Sequence, residues 1–174
     1  MTDNSPEVSI IMNCYNGEKF LEHAIKSVIS QSFTNWEIIF WDNLSKDQSK
    51  NIFQSFGDSR LKYHLAETHT PLYEARNLAI EKSKGKYLAF LDVDDYWENN
   101  KLEKQVPLFD NPKVGFVCSN YLIKHELKGK SWIASKKDMP SGFVTDELLS
   151  SYFIGLLTLM IRKKAYDSLE YGFD

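Results

Sequence analysis

The sequence is poor in cysteine and has no long apolar run. Cys14 and Cys118 are the only cysteines among 174 residues, and neither lies in a C-x-x-C pair or a Cys/His cluster, so a disulfide framework and a structural zinc site are not expected. No stretch approaches the ~20 apolar residues that a bilayer span requires. The N-terminal MTDNSPEVS lacks the basic start and apolar core of a signal peptide. We expect a soluble, cytoplasmic protein with two reduced thiols.

An excess of charge of one sign is also lacking. The chain carries 21 Lys and Arg residues against 24 Asp and Glu residues, a net charge of −3, and both signs are mixed along it. Binding to nucleic acid would need a broad cationic surface, so we expect no nucleic-acid partner. The apolar segment 148–160 leaves peripheral association with a membrane open, although burial in the core explains it more simply.

What the sequence does contain is a regular alternation between two hydrophobic periods. Residues 8–12 and 36–41 are continuous apolar runs of strand length, and apolar residues recur every three or four positions over 20–29. This pattern predicts a β-α-β unit whose parallel strands are covered on both faces. Asn16 and Ser45 stand where the first and second helices would need an N-cap.

The alternation continues along the chain. The segment YLAFL at 87–91 is apolar on both sides of the pleat, which predicts a central buried strand, and residues 61–65 alternate like a strand near the sheet edge. We further predict a single α/β domain over residues 1–174. Further helices are predicted over 45–56, 72–83, 99–109 (perturbed by Pro107) and 146–152. A strand is predicted over 114–123, an irregular or hairpin-like stretch over 124–137 and a last strand over 158–161.

Three polar clusters directly follow predicted strands. They are Cys14-Tyr15-Asn16, Asp42-Asn43 and Asp92-Val93-Asp94-Asp95. In an open, mostly parallel sheet, ligands bind beyond the carboxyl ends of the strands, where the strand order reverses. Side chains two apart on an extended segment point to the same side. We therefore expect Asp92 and Asp94 to converge on one ligand, and Asp95 to face elsewhere or to cap the next turn.

Two carboxylates brought together need a compensating charge. Like charges ~4 Å apart repel by about 1 kcal/mol in water and about 4 kcal/mol at an effective dielectric of about 20. A hard divalent cation fits, because Mg²⁺ or Mn²⁺ takes one or two carboxylates and fills its shell with water and phosphate oxygens. Asp92 and Asp94 are therefore the candidate metal ligands. The alternative is that the aspartates only cap the turn into the next segment.

Arg76 is the candidate phosphate ligand. It lies on the flank of the predicted third helix, where a guanidinium can bind a phosphate through two hydrogen bonds. The alternative is a solvated surface arginine. The four histidines share no metal-ligand spacing and are interpreted as structural or exposed: His23, His64, His69 and His125.

Two segments of the chain carry a family resemblance, VSIIMNCYNGEKFLEHAIKSVISQSFTNWEIIFWDN and, further on, ARNLAIEKSKGKYLAFLDVDDYW. They closely resemble the nucleotide-binding half of glycosyltransferase family 2, a group of inverting enzymes with a GT-A type fold. The resemblance covers residues 7–102 and continues loosely over 103–174, which would form part of an acceptor-side half. It implies a three-layer α/β/α architecture around a mostly parallel central sheet.

The resemblance also implies a function. Members of the family transfer a sugar from a nucleoside-diphosphate sugar, commonly a UDP-sugar, to an acceptor hydroxyl with inversion, using Mg²⁺ or Mn²⁺. A role in polysaccharide or glycan synthesis follows. By the same resemblance, Cys14, Tyr15, Asn16 and Asp42 would surround the base of the nucleotide-sugar, and Arg76 would contact the base or the diphosphate. Asp92 and Val93 would lie near the ribose. The metal would be bound by Asp94 and Asp92.

Departures from the family pattern concern the donor loops and the catalytic base. Asn13 stands where the family commonly has proline, Asn43-Leu44 replaces its Asp-Gly, and the loop 69–72 lacks its glycine. The family takes its general base from a Glu-Asp pair downstream of a segment like YGFD at 171–174, where this chain stops. We therefore assign no catalytic residue.

Three hypotheses follow from these patterns. The first is a glycosyltransferase whose acceptor half is curtailed, as in a truncated chain. The second is a nucleotide-sugar-binding domain without catalysis, or an inactive fragment that lacks the base. The third is an aspartate-phosphorylated signalling domain of the doubly wound type, which would need an acidic pair at the end of the first strand, where this chain has Asn13, Cys14 and Tyr15.

Overall fold

A computed structural model of the chain describes residues 5–125 and 128–174. The strands are β1 (Val8–Cys14), β2 (Trp36–Asp42), β3 (Leu61–Leu65), β4 (Tyr87–Phe90), β5 (Phe116–Val117), β6 (Leu122–His125), β7 (Lys130–Ile133) and β8 (Met160–Arg162). The helices are α1 (Leu21–Ile29), α2 (Ser49–Ser55), α3 (Leu72–Glu81), α4 (Lys101–Gln105), α5 (Thr145–Ser150) and α6 (Lys163–Tyr166), and 3₁₀ helices cover Val106–Asp110 and Leu156–Thr158.

Six strands form one sheet in the order β3-β2-β1-β4-β8-β5. The first four are parallel, with Cys14 beside Asp42 and Val8 beside Tyr87, whereas β8 is antiparallel to β4 and β5. The chain runs from β1 to β3 in one direction and resumes at β4 on the other side of β1, so a crevice opens between β1 and β4. The predicted mostly parallel sheet, with β3 at its edge and β4 in its interior, is confirmed.

Apolar side chains cover both faces of this sheet. Alternate residues of a strand point to opposite faces, so the continuous apolar runs of β1 and β2 contribute to two cores. One core packs the sheet against α1, α2 and α4 through Ile10, Met12, Phe40, Ile25, Phe53 and Leu102. The other packs it against α3 through Ile11, Ile39, Phe90, Ala75, Ala79 and Ile80. The expected three-layer α/β/α arrangement is confirmed.

The two predicted N-caps do not cap helices. α1 begins at Leu21 and α2 at Ser49. The backbone N–H of Asn16 instead donates to Oγ of Ser45 at 3.0 Å, and Oδ1 of Asn16 accepts from the N–H of Lys46 at 2.8 Å. Short polar side chains stabilise turns as readily as helix ends. The prediction was wrong because each side chain found its partner on a neighbouring loop.

The segment 114–123 is not the single strand that its apolar character predicts. Only β5 joins the main sheet, and the chain then enters a separate hairpin of β6 and β7. The side chain of Asn120 accounts for the break, because it donates to the carbonyl of Ser135 and accepts from its N–H, at 2.6 and 3.1 Å. The hairpin predicted over 124–137 is present, except that residues 126–127 lie outside the described residues.

The apolar segment 148–160 divides between surface and core. Leu149 and Tyr152 are largely exposed, whereas Leu159 and Met160 are buried. Met160 belongs to β8 and pairs with β4, which explains its burial. In the described part of the chain, no helix has the length and apolar character needed to cross a membrane.

Candidate functional site

The loops that follow β1, β2 and β4 meet at one edge of the sheet. The N–H of Asn43 donates to the carbonyl of Cys14 at 2.8 Å, which joins the first two loops. Gly17 lies so close to the third loop that a Cβ there would be 2.9 Å from Cγ2 of Val93. The structure thus brings the three predicted polar clusters together at the crevice between β1 and β4.

Reciprocal hydrogen bonds hold the first two loops against each other. The N–H of Gly17 donates to Oγ of Ser49, and the N–H of Glu18 donates to Oδ2 of Asp47, both at 2.9 Å. In return, the N–H of Gln48 donates to Oε2 of Glu18, also at 2.9 Å. These bonds fix the loop after β1 before any ligand binds, as a preorganised site requires.

Asp42 is almost fully buried, with 1% of its surface exposed, and both of its carboxylate oxygens have internal partners. Oδ1 accepts from the N–H of Ser45, and Oδ2 accepts from the hydroxyl of Tyr63, each at 2.7 Å. Burial and the Asp42 carboxylate raise the pKa of Tyr63, so the phenol remains a donor. By strand alternation Asp42 lies on the same face as Phe40, where it stabilises its own loop.

Cys14 is a structural thiol in this arrangement. It is buried, and burial raises the pKa of its thiol, which therefore stays protonated at neutral pH. Its Sγ lies 3.8 Å from Oγ of Ser45. Both Cys14 and Cys118 are free of disulfide bonds, as predicted.

Arg76 of α3 is paired with Asp92, the first residue of the acidic loop 92–95 that follows β4. Nη2 of Arg76 donates to Oδ1 of Asp92 at 3.2 Å, and the guanidinium carbon lies 5.2 Å from the ring centre of Phe173. Arg76 is 8% exposed, so the alternative of a solvated surface arginine is wrong. The side chain of Asp92 is 40% exposed and therefore accessible from solvent.

The acidic loop is a turn and not a continuation of β4. The N–H of Asp95 donates to the carbonyl of Asp92 at 3.1 Å, so the expectation that Asp92 and Asp94 lie on one side of an extended segment was wrong. Within this turn, the partly buried Val93 packs against the core next to Gly17. Burial, followed by the charges of Asp94 and Asp92, raises the pKa of Asp95 to about 6, so the charges of its two neighbours disfavour the ionised form of Asp95.

This turn has the chemistry of a cation site that a substrate completes. Among the described residues, no three His, Cys, Asp or Glu side chains are grouped as a full metal site. Asp94 is exposed and Asp92 partly exposed, so two carboxylates of this turn are accessible to a cation. Mg²⁺ and Mn²⁺ are commonly held by one or two carboxylates, with water and substrate phosphates as the other ligands. The residues present therefore fit such an ion.

A cavity of about 300 Å³ opens on the α3 side of these loops. At its wall the rings of Tyr15 and His69 pack with their centroids 4.4 Å apart. The side chain of Asn43 donates to the carbonyl of Thr70 at 2.7 Å and accepts from its N–H at 3.2 Å. The full lining is Asn13, Cys14, Tyr15, Asn43, His69, Thr70, Pro71, Leu72 and Ala75.

Sequence patterns alone do not reveal this cavity. They place Cys14, Tyr15 and Asn43 of its lining in the polar clusters that follow β1 and β2, whereas Asn13 and the loop 69–72 stand out only as departures from a family pattern. All of these positions line the cavity. A second hollow of about 520 Å³, along α2, contains no residue of the three polar clusters.

Asn77 holds the end of the chain beside α3. The N–H of Phe173 donates to Oδ1 of Asn77 at 2.9 Å, and Nδ2 of Asn77 donates to the carbonyl of Phe173 at 2.8 Å. The hydroxyl of Tyr166 donates to the same Oδ1 at 3.0 Å. This clamp places the ring of Phe173 against the Arg76 guanidinium.

Comparison with known proteins finds clear relatives of this chain. The family described as Glycosyl transferase family 2 matches residues 9–169. The UDP-Glc:alpha-D-GlcNAc-diphosphoundecaprenol beta-1,3-glucosyltransferase WfgD of Escherichia coli is 33% identical over 166 residues, which cover 95% of this chain and 64% of that protein. The enzyme WfaP of Escherichia coli, described by the same activity, is 37% identical over 119 residues, which cover 68% of this chain and 47% of that protein. The chain spans less than two thirds of the length of these relatives.

Solved structures share the fold at lower identity. S. aureus TarS 1–349 gives a TM-score of 0.71 at 20% identity, over 90% of this chain and 47% of that one. Its complex with UDP-GlcNAc gives 0.69 at 20% identity, over 90% and 45%. Mannosyltransferase PcManGT from Pyrobaculum calidifontis, in complex with GDP-Man and Mn²⁺, gives 0.71 at 17% identity, over 98% and 48%. These likenesses concern the fold, and the expected GT-A type fold is confirmed.

Proposed function

The chain belongs to glycosyltransferase family 2, and from this premise we propose that it transfers a sugar from a UDP-sugar to an acceptor hydroxyl, with inversion, in the synthesis of a polysaccharide or other glycan. One observation carries the proposal. The acidic turn of Asp92 to Asp95 ends β4 at the crevice of the sheet, and its first residue is paired with the buried Arg76. Crevices of this kind are where α/β sheets bind their ligands.

In this proposal, Arg76 and the acidic turn bind the diphosphate part of the donor in different ways. The Arg76 charge is buried and therefore poorly screened, which strengthens its attraction for a phosphate. Asp92 orients that guanidinium, and together with the exposed Asp94 it would hold Mg²⁺ or Mn²⁺. When bound, such an ion neutralises the charge that develops on the leaving diphosphate. The loop of Cys14, Tyr15 and Asn16 would border the nucleoside.

The acceptor side is a separate part of the proposal. We propose that residues 7–102 bind the donor and that 103–174 begin the acceptor side. Glu170 and Asp174 are both exposed, and no contact assigns either as the general base, so the catalytic residue stays unassigned. WfgD is named for a diphosphoundecaprenol-linked acceptor, and a lipid-linked glycan is the acceptor class that we propose here.

The place of the reaction follows from the same acceptor. The two free cysteines fit a reducing compartment, and we propose the cytoplasm. Peripheral contact with a membrane would bring a lipid-linked acceptor within reach, and the exposed Leu149 and Tyr152 are apolar groups available for it. Transfer at the membrane surface is the simplest arrangement that joins these two observations.

Thermal unfolding with UDP and Mn²⁺ tests donor binding. A ligand present at 100 times its Kd stabilises a protein by about 2.7 kcal/mol, so we expect UDP with Mn²⁺ to raise the Tm by several degrees. Asp94→Asn should abolish the Mn²⁺-dependent part of the rise. Asp146→Asn, at an exposed position of α5, is the matched control and should retain it. The absence of a shift with any nucleoside diphosphate would contradict the proposal.

A turnover assay separates the two remaining hypotheses. Release of UDP from a UDP-sugar in the presence of an acceptor supports an enzyme. Tight binding of the UDP-sugar without turnover supports a nucleotide-sugar-binding domain that lacks the base. The signalling hypothesis has no support, since β1 ends in Asn13 and Cys14 and the chain belongs to a transferase family.

A further inference from the structure

We propose that the hairpin of β6 and β7 is a membrane-binding element, which docks the protein on an anionic lipid bilayer through Trp132, Ile123 and the lysines beside them. The inference rests on the proposed function in one respect, because the purpose of docking is access to a lipid-linked acceptor. The hairpin contains none of the residues assigned to the donor site.

The hairpin stands apart from the main sheet. Among the described residues, β6 and β7 pair only with each other. An isolated two-stranded hairpin is only marginally stable in water and normally needs further strands or a packed face. The apolar side chains of its strands are nevertheless between 36% and 54% exposed: Leu122, Ile123, Trp132 and Ile133. A partner that covers them would therefore stabilise the hairpin.

The charge of the hairpin is opposite to that of the rest of the chain. Residues 121–137 contain five lysines and one glutamate, a net charge of +4, whereas the other residues carry 16 basic and 23 acidic side chains, a net charge of −7. The five lysines are all exposed: Lys124, Lys128, Lys130, Lys136 and Lys137. Clustered basic residues attract a protein to the negative surface of an anionic membrane.

The two faces of the hairpin have different surroundings. Paired residues of neighbouring strands share a face, and successive residues of a strand alternate between faces. Lys124 therefore lies on one face, and the pair of Ile123 and Trp132 lies on the other. Nζ of Lys124 is 4.8 Å from the centre of the Tyr96 ring, so its face is turned toward the main domain. The opposite face, with Ile123, Trp132 and Lys130, is available to a bilayer.

This face has the chemistry of a membrane interface. Tryptophan is enriched at the level of the lipid headgroups, where its ring is buried in apolar surroundings and its N–H stays hydrated. Lysine lays its aliphatic chain along apolar surface and keeps its ammonium among the headgroups. Trp132 lies beside Ile123, and Lys130 lies two residues before Trp132, on the same face of β7. One surface therefore presents both groups.

Other partners fit this surface less well. A second copy of the chain would bring the lysines of two hairpins together, and like charges oppose strand pairing. Nucleic acid requires a broad cationic surface, whereas the rest of this chain is net negative. Leu149 is also exposed, but its helix α5 contains Asp146 and Glu147 and no lysine. It can add apolar contact with a bilayer but no attraction to anionic lipid.

Docking at the hairpin would place the bilayer close to the acidic turn. Tyr96, which Lys124 contacts, directly follows Asp95. A lipid-linked acceptor held in the membrane would then lie near the proposed diphosphate site.

Sedimentation of the full chain with lipid vesicles tests the inference. The anionic probe is a vesicle of phosphatidylglycerol and phosphatidylcholine in equal parts, and the neutral probe is phosphatidylcholine alone. We expect the wild type to bind the anionic vesicles at least about tenfold more tightly. High salt should remove most of this difference, because exposed charges are screened. Equal binding to the two probes would contradict the role of the lysines.

Removal of two lysines tests the position of the charge. Lys128→Gln combined with Lys130→Gln should weaken binding to the anionic vesicles about tenfold. Lys82→Gln combined with Lys86→Gln is the matched control, because both lysines are exposed and precede β4, at the sheet edge opposite to the acidic turn. It should bind like the wild type. Equal losses in the two double variants would show that net charge alone is responsible and would overturn the assignment to the hairpin.

Tryptophan fluorescence gives a site-specific readout. Trp36, Trp41 and Trp97 are at most 7% exposed, whereas Trp132 is 48% exposed. Vesicle binding should therefore shift the emission of Trp132 to shorter wavelength, and lipids with brominated acyl chains should quench it. Trp132→Phe should still bind vesicles but lose both signals, and Trp132→Ser should bind about tenfold more weakly. A wild type that binds vesicles without either signal docks through another surface, which would overturn the inference.

Further outcomes separate this inference from the proposed function. If UDP with Mn²⁺ raises the Tm but the wild type does not sediment with anionic vesicles, the membrane surface is wrong and the donor function stands. If the protein binds vesicles through the hairpin but no nucleoside diphosphate raises its Tm, the donor function is wrong and the membrane surface stands. A dimer that Trp132→Ser dissociates, without vesicle binding, would assign the surface to a second copy instead.

Discussion

Nη2 of Arg76 lies 3.2 Å from Oδ1 of Asp92, and the two partners differ in exposure: Arg76 is 8% exposed, whereas the side chain of Asp92 is 40% exposed. The arginine is therefore anchored in the protein, next to the ring of Phe173, while the aspartate remains accessible to solvent. A guanidinium has five N–H donors, and its bond to Asp92 uses one of them. The pair can hold the acidic turn in place and still offer donors to a phosphate.

Replacing Arg76 should reduce donor affinity. We expect Arg76→Gln to weaken the binding of UDP with Mn²⁺ at least tenfold, about 1.4 kcal/mol, because a poorly screened positive charge is lost. Arg76→Lys should retain more affinity than Arg76→Gln but less than the wild type, since an ammonium cannot form the bidentate contact of a guanidinium. Titration calorimetry measures both. Arg60→Gln is the control, because Arg60 pairs with Asp58 at the start of β3 and should affect stability alone.

The layers of the fold were predictable because β1, β2 and β4 are buried on both faces. Continuous apolar runs of that length have few alternatives once helical periods separate them. Pro107 likewise marked the place where the helix predicted over 99–109 changes from α to 3₁₀. The roles of Asn16 and Ser45 were not predictable, because the same side chain can bond to a helix end or to another loop. Only the approach of the two loops decides between them.

The candidate site, like the fold, has features that the sequence predicts and features that it does not. Clustering of the charged residues was predictable, since Asp92 and Asp94 follow a central strand. The inward position of Asp42 was not, because it depends on Tyr63, which reaches it from the neighbouring strand. The presence of Asn13 and Thr70 in the lining of the cavity was not predicted, for a similar reason. Asn13 reads as the end of an apolar strand until the loop carrying Thr70 is seen beside it.

A methyl group at Gly172 should loosen the end of the chain. Its Cβ would lie 2.6 Å from Oδ1 of Asn77, the atom that accepts from Phe173 and Tyr166. We expect Gly172→Ala to lower the free energy of unfolding by about 1 kcal/mol and to speed hydrogen exchange at the Phe173 amide. Gly115→Ala is the matched control, because a Cβ there meets nothing within 4 Å. Equal effects of the two substitutions would contradict the Asn77 clamp.

Acid should remove the contribution of Asp58 to stability. The hydrogen bonds from the Arg60 side chain hold the pKa of Asp58 below its usual value. A depressed carboxyl pKa stabilises the fold above the unfolded pKa of about 3.9, and the stabilisation is lost as the pH falls through the native pKa.

Asp58→Asn is the variant that isolates this contribution. Because the pair is partly exposed, we expect a loss of about 0.5–1 kcal/mol at neutral pH. Urea denaturation at neutral pH and in acid should show that the difference from the wild type closes below about pH 4. A deficit that persists unchanged in acid would show that the Asp58 charge is not its source.

Leu44 has a backbone conformation that favours glycine, and the cost should be measurable. Its φ is +68°, and an L-residue in the left-handed region costs about 1–2 kcal/mol. Leu44→Gly and Leu44→Ala both remove the partly buried side chain, so the difference between them reports the backbone alone. We expect Gly to be more stable than Ala by about 1 kcal/mol in urea denaturation, the reverse of the usual order.

Lys46 provides the comparison on the same loop. It is exposed and has no positive φ, so Lys46→Ala should be at least as stable as Lys46→Gly. An inversion at Leu44 alone would mean that the loop after β2 is held in a costly conformation by its bonds to the loop after β1. If Ala were as stable as Gly at position 44, the loop would be free to relax. The rigid pairing of the two loops would then not be what positions the proposed donor site.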